Sequence, residues 1–250
     1  MKKHFVKNAN YRRFMTAISR IERRGAEESS LILVYGPPGV GKTRTVNHYG
    51  AMTDAITVPG MHGMNVAYVR DCLKDATGID ANGRWAEAKA LKEFFREHRY
   101  PIIFDESQHG LADKAAVIEY LRAITDHAEV PLILVCHTSE AKRFSKHDHQ
   151  ATRMGCVCEL EVATQDDADQ YIEELGEVTI SADLRAEIHV SVITFGGKAK
   201  DLPATDPVTR AVLTGFLGWN GPKGVNNINV RSIAQSLGLT VEEKRSDESV

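Results

Sequence analysis

Leu31-Ile32-Leu33-Val34-Tyr35 runs directly into Gly36-Pro37-Pro38-Gly39-Val40-Gly41-Lys42-Thr43-Arg44, and the reading of this junction decides the fold. An unbroken apolar run of this length suits a strand buried on both faces of a parallel sheet. The loop after it fits G-x-x-x-x-G-K-[ST], a pattern with a physical use only where it lies between a strand and a helix. Its glycines let backbone N–H groups curl around a phosphate chain, and the following helix N-terminus adds partial positive charge. Lys42 is placed to reach the β- and γ-phosphates, the Thr43 hydroxyl to ligate magnesium, and Gly36 to Arg44 together form the predicted nucleotide-binding stretch.

Downstream, Tyr100-Pro101-Ile102-Ile103-Phe104 leads into Asp105-Glu106, two carboxylates at the end of a second buried strand. After a phosphate loop this pair has distinct uses. Asp105 holds a hydrated magnesium, and Glu106 polarises the water that attacks the γ-phosphate. Leu132-Ile133-Leu134-Val135 is a third such strand, and Cys136-His137-Thr138 brings a polar side chain to the same sheet edge. His137 is the first candidate there to meet the attacking water or the γ-phosphate, with Thr138 beside it. Arg153, just ahead of Cys156-Val157-Cys158, is the candidate to complete a neighbouring subunit's site, and Arg143 is its competitor.

Ala55 to Val58 and Val157 to Val162 are the remaining strand candidates. Val117, Leu121, Ile124 and Ala128 share one helix face, so strands alternate with helices across 31–163 and predict an α/β sandwich with a parallel sheet. Beyond Thr164 the stretches Gln165 to Leu175, Ala182 to Thr194, Pro207 to Trp219 and Val230 to Leu237 read as helices, capped by Thr164 and Asp206. The expected organisation is a basic N-terminal segment (1–30), an α/β nucleotide-binding core (31–163), an all-helical lid (164–240) and a disordered tail (241–250).

With 250 residues and 42% hydrophobic content the chain is long enough for a sizeable core, while its apolar runs are too short to span a membrane. The basic N-terminus lacks the apolar stretch of a secretory signal, so a cytoplasmic location is expected. Four unevenly spaced cysteines suit packed thiols rather than a disulfide scaffold. His147-Asp148-His149 supplies too few ligands for a closed zinc site. The net charge of -3 conceals eight Lys or Arg against one acid in residues 1–24, a local +7 that leaves -10 on the rest. Such an arm suits either a polyanion or a solvated helix face.

Taken together, these residues resemble the AAA+ ATPases, a branch of the P-loop NTPases, and within them the DNA-transposition regulators of the Mu B, TnsC and IstB kind. The resemblance spans roughly residues 8 to 200, from Asn8-Ala9-Asn10-Tyr11-Arg12-Arg13-Phe14 through the glycine loop, Phe104-Asp105-Glu106 and the polar residue after the third apolar run to Thr152-Arg153. It implies a three-layer sandwich with a helical lid, ATP and Mg2+, and a catalytic set of Lys42, Glu106, His137 and Arg153. It also implies a ring or helical homo-oligomer on duplex DNA that recruits a transposase, in a bacterial cytoplasm, with a phage or transposon as an open origin. DNA is expected to meet the backbone-binding residues Lys2, Lys3 and Lys7, the loop bearing His62 and Asn65, and Lys74, Arg84 and Lys114. Two features depart from the family pattern: Lys198 and Lys200 stand where a second-sensor arginine is usual, and Arg231 to Leu239 looks like the first helix and turn of a helix-turn-helix with too little chain after it for a recognition helix, so it is expected to be lid or a partner-binding element. A helicase loader, a secretion-linked ATPase and an ATP-assembled DNA-coating scaffold are the competing readings; Glu106 argues against the scaffold.

Overall fold

The computed structural model describes residues 4–23, 30–144 and 154–175. In chain order these form α1 (Ala9–Glu22), β1 (Leu31–Gly36), α2 (Lys42–Thr53), β2 (Ile56–Pro59), α3 (Val66–Thr77), α4 (Arg84–His98), β3 (Ile102–Asp105), a 3-10 turn (Ser107–Leu111), α5 (Ala112–Ala128), β4 (Leu132–His137), α6 (Thr138–Phe144), β5 (Met154–Glu159) and α7 (Gln165–Leu175). The chain divides into two compact units. The larger comprises Asn10–Pro37 and Gly41–Glu161; the smaller takes 4–9, 38–40 and 162–175 of the described residues.

In the larger unit the five strands are all parallel, in the spatial order β2-β3-β4-β1-β5. Alternation of side chains across the sheet sorts the apolar runs into two layers. Leu31, Leu33, Ile102, Phe104, Leu132 and Leu134 join one core with Leu73 of α3, Leu91 and Phe95 of α4, and Ile118 and Leu121 of α5. On the opposite face Ile32, Val34, Ile103, Ile133 and Val135 are equally buried. There α2 comes so close that a Cβ on Gly50 would stand 3.0 Å from Ile103 Cδ1, and α1 meets α2 through the edge-to-face pair Phe14 and Tyr49. Helices on both faces of one sheet make the expected three-layer sandwich, and each fully buried Leu, Ile or Phe contributes about 1.5–3 kcal/mol. Polar residues enter β1, β3 and β4 only at their C-terminal ends.

The chain entering this sandwich is clipped to the chain leaving it. Asn10 Nδ2 donates to Glu161 O at 2.8 Å, Glu161 N donates to Asn10 Oδ1 at 3.0 Å, and Arg13 pairs with the Glu161 carboxylate at 2.7 Å.

The fifth strand corrects the sequence expectation of Val157 to Val162, since it runs Met154–Glu159. Its length is set by its partner: β1 pairs Ile32 with Cys156, Val34 with Cys158 and Tyr35 with Glu159, and the last bond is Leu160 N to Tyr35 O at 2.7 Å. β5 is an edge strand with Val157 exposed, so apolar content is a poor guide to where it stops.

In the smaller unit α7 starts where its capping signal places it. Thr164 N and Oγ1 each donate to Asp167 Oδ2 at 3.0 Å, and Asp167 N donates back to Thr164 Oγ1 at 3.2 Å. Residues 4–9 lie along this helix through Ala9 N to Asp167 Oδ1 at 2.8 Å and His4 with Glu174 at 3.3 Å. The lid beyond Leu175 and the tail 241–250 lie outside the described residues, as does the His147-Asp148-His149 loop. All four cysteines are free thiols, and no described helix is long and apolar enough to cross a membrane.

Candidate active site

Register alone brings four strand ends together. Gly36 of β1 stands opposite His137 of β4, Phe104 of β3 opposite Leu134, and Pro59 of β2 opposite Asp105. Because β1 lies between β4 and β5 instead of beside β2, the sheet edge has the reversal of strand order at which open α/β sheets bind ligands.

From the end of β1 the chain turns through Pro37-Pro38-Gly39-Val40-Gly41 into α2. Gly39 and Gly41 have φ of 84° and 88°, left-handed values open to glycine at no steric cost. Gly41 O accepts the N–H of Thr45 at 2.9 Å, and the first turn of α2 carries no acidic residue that would repel an anion. The Lys42 ammonium is drawn back into the loop and donates to Gly36 O at 2.8 Å and Pro37 O at 2.9 Å. Burial pulls its pKa below the ordinary lysine range, with Glu106 and then Cys136 and Asp105 acting against that shift. Arg44, one step on, is exposed on α2.

Asp105 uses both oxygens. Oδ2 accepts the Thr43 hydroxyl at 2.9 Å and Oδ1 accepts Glu106 N at 2.9 Å. Thr43 and Asp105, 62 positions apart, thus meet across the sheet edge and offer the hard oxygen ligands that magnesium takes. Glu106 itself stands at φ 50° and ψ 41°, a left-handed conformation unusual for a residue with a Cβ, and such conformations gather at functional sites.

His137 Nδ1 accepts Ser139 N–H at 3.2 Å and lies 2.9 Å from Ser139 Oγ. A neutral ring that accepts through Nδ1 carries its proton on Nε2, which leaves His137 with a donor. Thr138 begins α6 and is exposed. Arg143 is paired with Glu140 one turn away, and Arg153 lies outside the described residues.

The residues assigned to DNA are scattered. Lys2 and Lys3 lie outside the described residues, and Lys7, His62, Arg84 and Lys114 are exposed. Asn65 caps α3, its side chain accepting Tyr68 N–H at 3.0 Å. Lys74 pairs with the buried Glu87 at 3.1 Å, beside Arg70. Lys114 sits in a left-handed turn with Asp113 and Ala115 at the start of α5.

Four site residues emerge only in three dimensions. Gly60 N donates to Asp105 O at 2.8 Å, and a Cβ on Gly60 would lie 2.3 Å from Glu106 O. Ser107, fully buried, donates through Oγ to Val135 O at 2.9 Å and so ties the 3-10 turn to β4. Gln108 Nε2 donates to Glu106 Oε2, and a Cβ on Gly110 would meet the Phe104 ring at 2.6 Å. The available signal was local: Ser107-Gln108-His109-Gly110 is a polar, glycine-bearing interruption between two apolar stretches, directly after the carboxylate pair.

Comparison with known proteins bears on the fold. Residues 24–144, just under half of the chain, match a family model described as an AAA domain. Among solved structures the chain is similar to a Walker-type ATPase of Pyrococcus abyssi at 12% identity and TM-score 0.53, over 94% of this chain and 72% of that one. It also aligns with a signal transduction ATPase with numerous domains and a tetratricopeptide repeat sensor from Pyrococcus horikoshii, at 13% identity and TM-score 0.45, over 83% of this chain and 30% of that one. No curated protein sequence matches it significantly. The sheet order, the loop and the matched domain give the chain a P-loop NTPase fold of the AAA type.

Proposed function

We propose that this P-loop NTPase of the AAA type binds ATP with Mg2+, hydrolyses it, and works as an oligomeric regulator of DNA transposition on duplex DNA. The observation that carries the hydrolytic reading is the 2.9 Å bond from Thr43 to Asp105, which joins the phosphate loop to the end of β3, Lys42 and Glu106 being the chain neighbours of its two partners. Helix-start amides and Lys42 bind the phosphates, Lys42 exchanging its loop carbonyls for phosphate oxygens. Thr43 and Asp105 hold the magnesium, which when bound neutralises phosphate charge. Glu106 takes the proton of the attacking water, and His137 Nε2–H donates to the γ-phosphate or to that water. Glu106→Gln is expected to retain ATP binding and lose turnover by about 100-fold or more. Undiminished turnover in a steady-state phosphate-release assay would overturn the assignment.

The regulatory reading rests on charge as well as on resemblance. α1 turns Tyr11, Phe14, Ala17, Ile18 and Ile21 into the core and leaves Arg12, Arg13, Arg20 and the adjoining Arg23 toward solvent, within the segment of local charge +7. A basic face of this kind suits backbone phosphates of duplex DNA and requires no particular base sequence. In this proposal Arg153 completes a neighbouring subunit's site, and assembly lines up many weak interactions with phosphates. The test is binding to two unrelated duplexes across a salt series, with and without an ATP analogue. Replacing Lys2, Lys3 and Lys7 with Ala should flatten the slope of log affinity against log salt by roughly 0.9 for each phosphate that is no longer neutralised, with sequence preference unchanged. Absence of binding under every condition would remove the transposition reading and leave the ATPase.

A further inference from the structure

The carboxylate pair continues into a turn that is unusually well anchored. Ser107 Oγ, fully buried, is bonded to Val135 O, His109 N donates to Glu106 O at 3.1 Å, and Gly110 leaves no room for a side chain against the Phe104 ring. On this turn Gln108 Nε2 reaches back two residues to Glu106 Oε2. The other atom of the same amide, Gln108 Oε1, is buried with no hydrogen-bond partner among the described residues. Turning the amide over would place its oxygen against the carboxylate, so charge dictates which atom faces Glu106. A buried acceptor left without a partner is a cost that folded proteins usually avoid, and this arrangement accepts it while keeping a donor on one oxygen of Glu106.

We infer that Gln108 is a positioning residue for ATP hydrolysis: by engaging Oε2 it fixes the Glu106 carboxylate and leaves Oε1 as the oxygen that receives the water's proton. The inference rests on the reading of Glu106 given above. Glutamate has three side-chain torsions, and a carboxylate free to turn presents its base to the water for only part of the time. The anchored turn and the Gln108 amide remove that freedom before the nucleotide arrives.

Gln108→Met is the informative variant, because it keeps the length of the side chain while deleting both the donor and the partnerless acceptor. The expected result is a fall in kcat on the order of tenfold or more, the size of a hydrogen bond to a charged group, with KM for ATP unchanged. Its melting temperature should stay level or rise by a few degrees, since the buried acceptor is gone. Gln108→Ala, which opens a small void, should lose the same share of kcat while melting lower than wild type. Loss of activity without loss of stability is a signature that a merely structural glutamine does not produce. If kcat follows melting temperature through both variants, or if Gln108→Met matches or exceeds wild type beside an inactive Glu106→Gln, the inference is overturned. A wild-type protein without ATPase activity, or an active Glu106→Gln, would instead overturn the reading of the site beneath it.

Discussion

Gly60→Ala tests whether the carboxylate pair is held in place by backbone packing. Gly60 follows β2, and its N–H donates to Asp105 O at 2.8 Å. The new methyl would lie 2.3 Å from Glu106 O, 2.6 Å from Asp105 O and 2.8 Å from Glu106 C. All three are backbone atoms, so no side-chain rotation relieves the overlap; restoring even a 3.0 Å separation from Glu106 O moves the end of β3 or β2 by roughly 0.7 Å. Overpacking of this kind costs about 1–3 kcal/mol, or roughly 2–12 °C of melting temperature for a chain of this size. Catalysis should suffer more than stability, because a displacement near 1 Å at the reacting groups can cost about 100-fold. The expected outcome is a kcat reduced by about 10- to 100-fold, with affinity for an ATP analogue little changed, since Lys42 and Thr43 belong to the β1–α2 connection. Steady-state phosphate release, analogue titration and thermal melting measure the three quantities. Wild-type kcat with an unchanged melting temperature would refute the packing argument, and loss of analogue binding with normal kcat at saturation would show that Gly60 serves the loop instead.

Lys42→Met should abolish stabilisation by ATP in a melting assay, yet the nucleotide-free variant should melt at or above wild type at neutral pH. The sign follows from burial: the folded pKa of Lys42 lies below its unfolded value, so the ammonium opposes folding while it stays charged, and that opposition fades as pH rises through the folded pKa. The gap between variant and wild type should therefore narrow toward alkaline pH, and a gap constant with pH would contradict the assignment. Ser107→Ala removes the buried bond to Val135 O and should cost about 1 kcal/mol, seen as a melting temperature lower by roughly 2–4 °C. It should also lower kcat with KM for ATP unchanged, because it loosens the turn that follows Glu106; a loss of stability with full kcat would separate that turn from catalysis.

Much of this protein was legible in one dimension because burial and backbone freedom leave local traces. Apolar runs with no polar relief, as in Leu31 to Val34 and Leu132 to Val135, suit strands covered on both faces, and the glycines of the loop announce a backbone free to curl around a ligand. The Asp105-Glu106 pair was readable for the same reason, as charge placed at the end of a buried strand. Thr164 signalled the start of α7 through a capping exchange that lies within four residues. What the sequence could not determine depends on partners far along the chain. The end of β5 follows from where β1 ends, the meeting of Thr43 with Asp105 from strand register, and the engagement of Lys74 from Glu87 on another helix. Gly60, Ser107 and Gln108 are small or ordinary polar residues whose types are common in any loop. Their importance comes from distances to Glu106 O, Val135 O and Glu106 Oε2, and those distances exist only after the sheet has brought β2, β3 and β4 side by side.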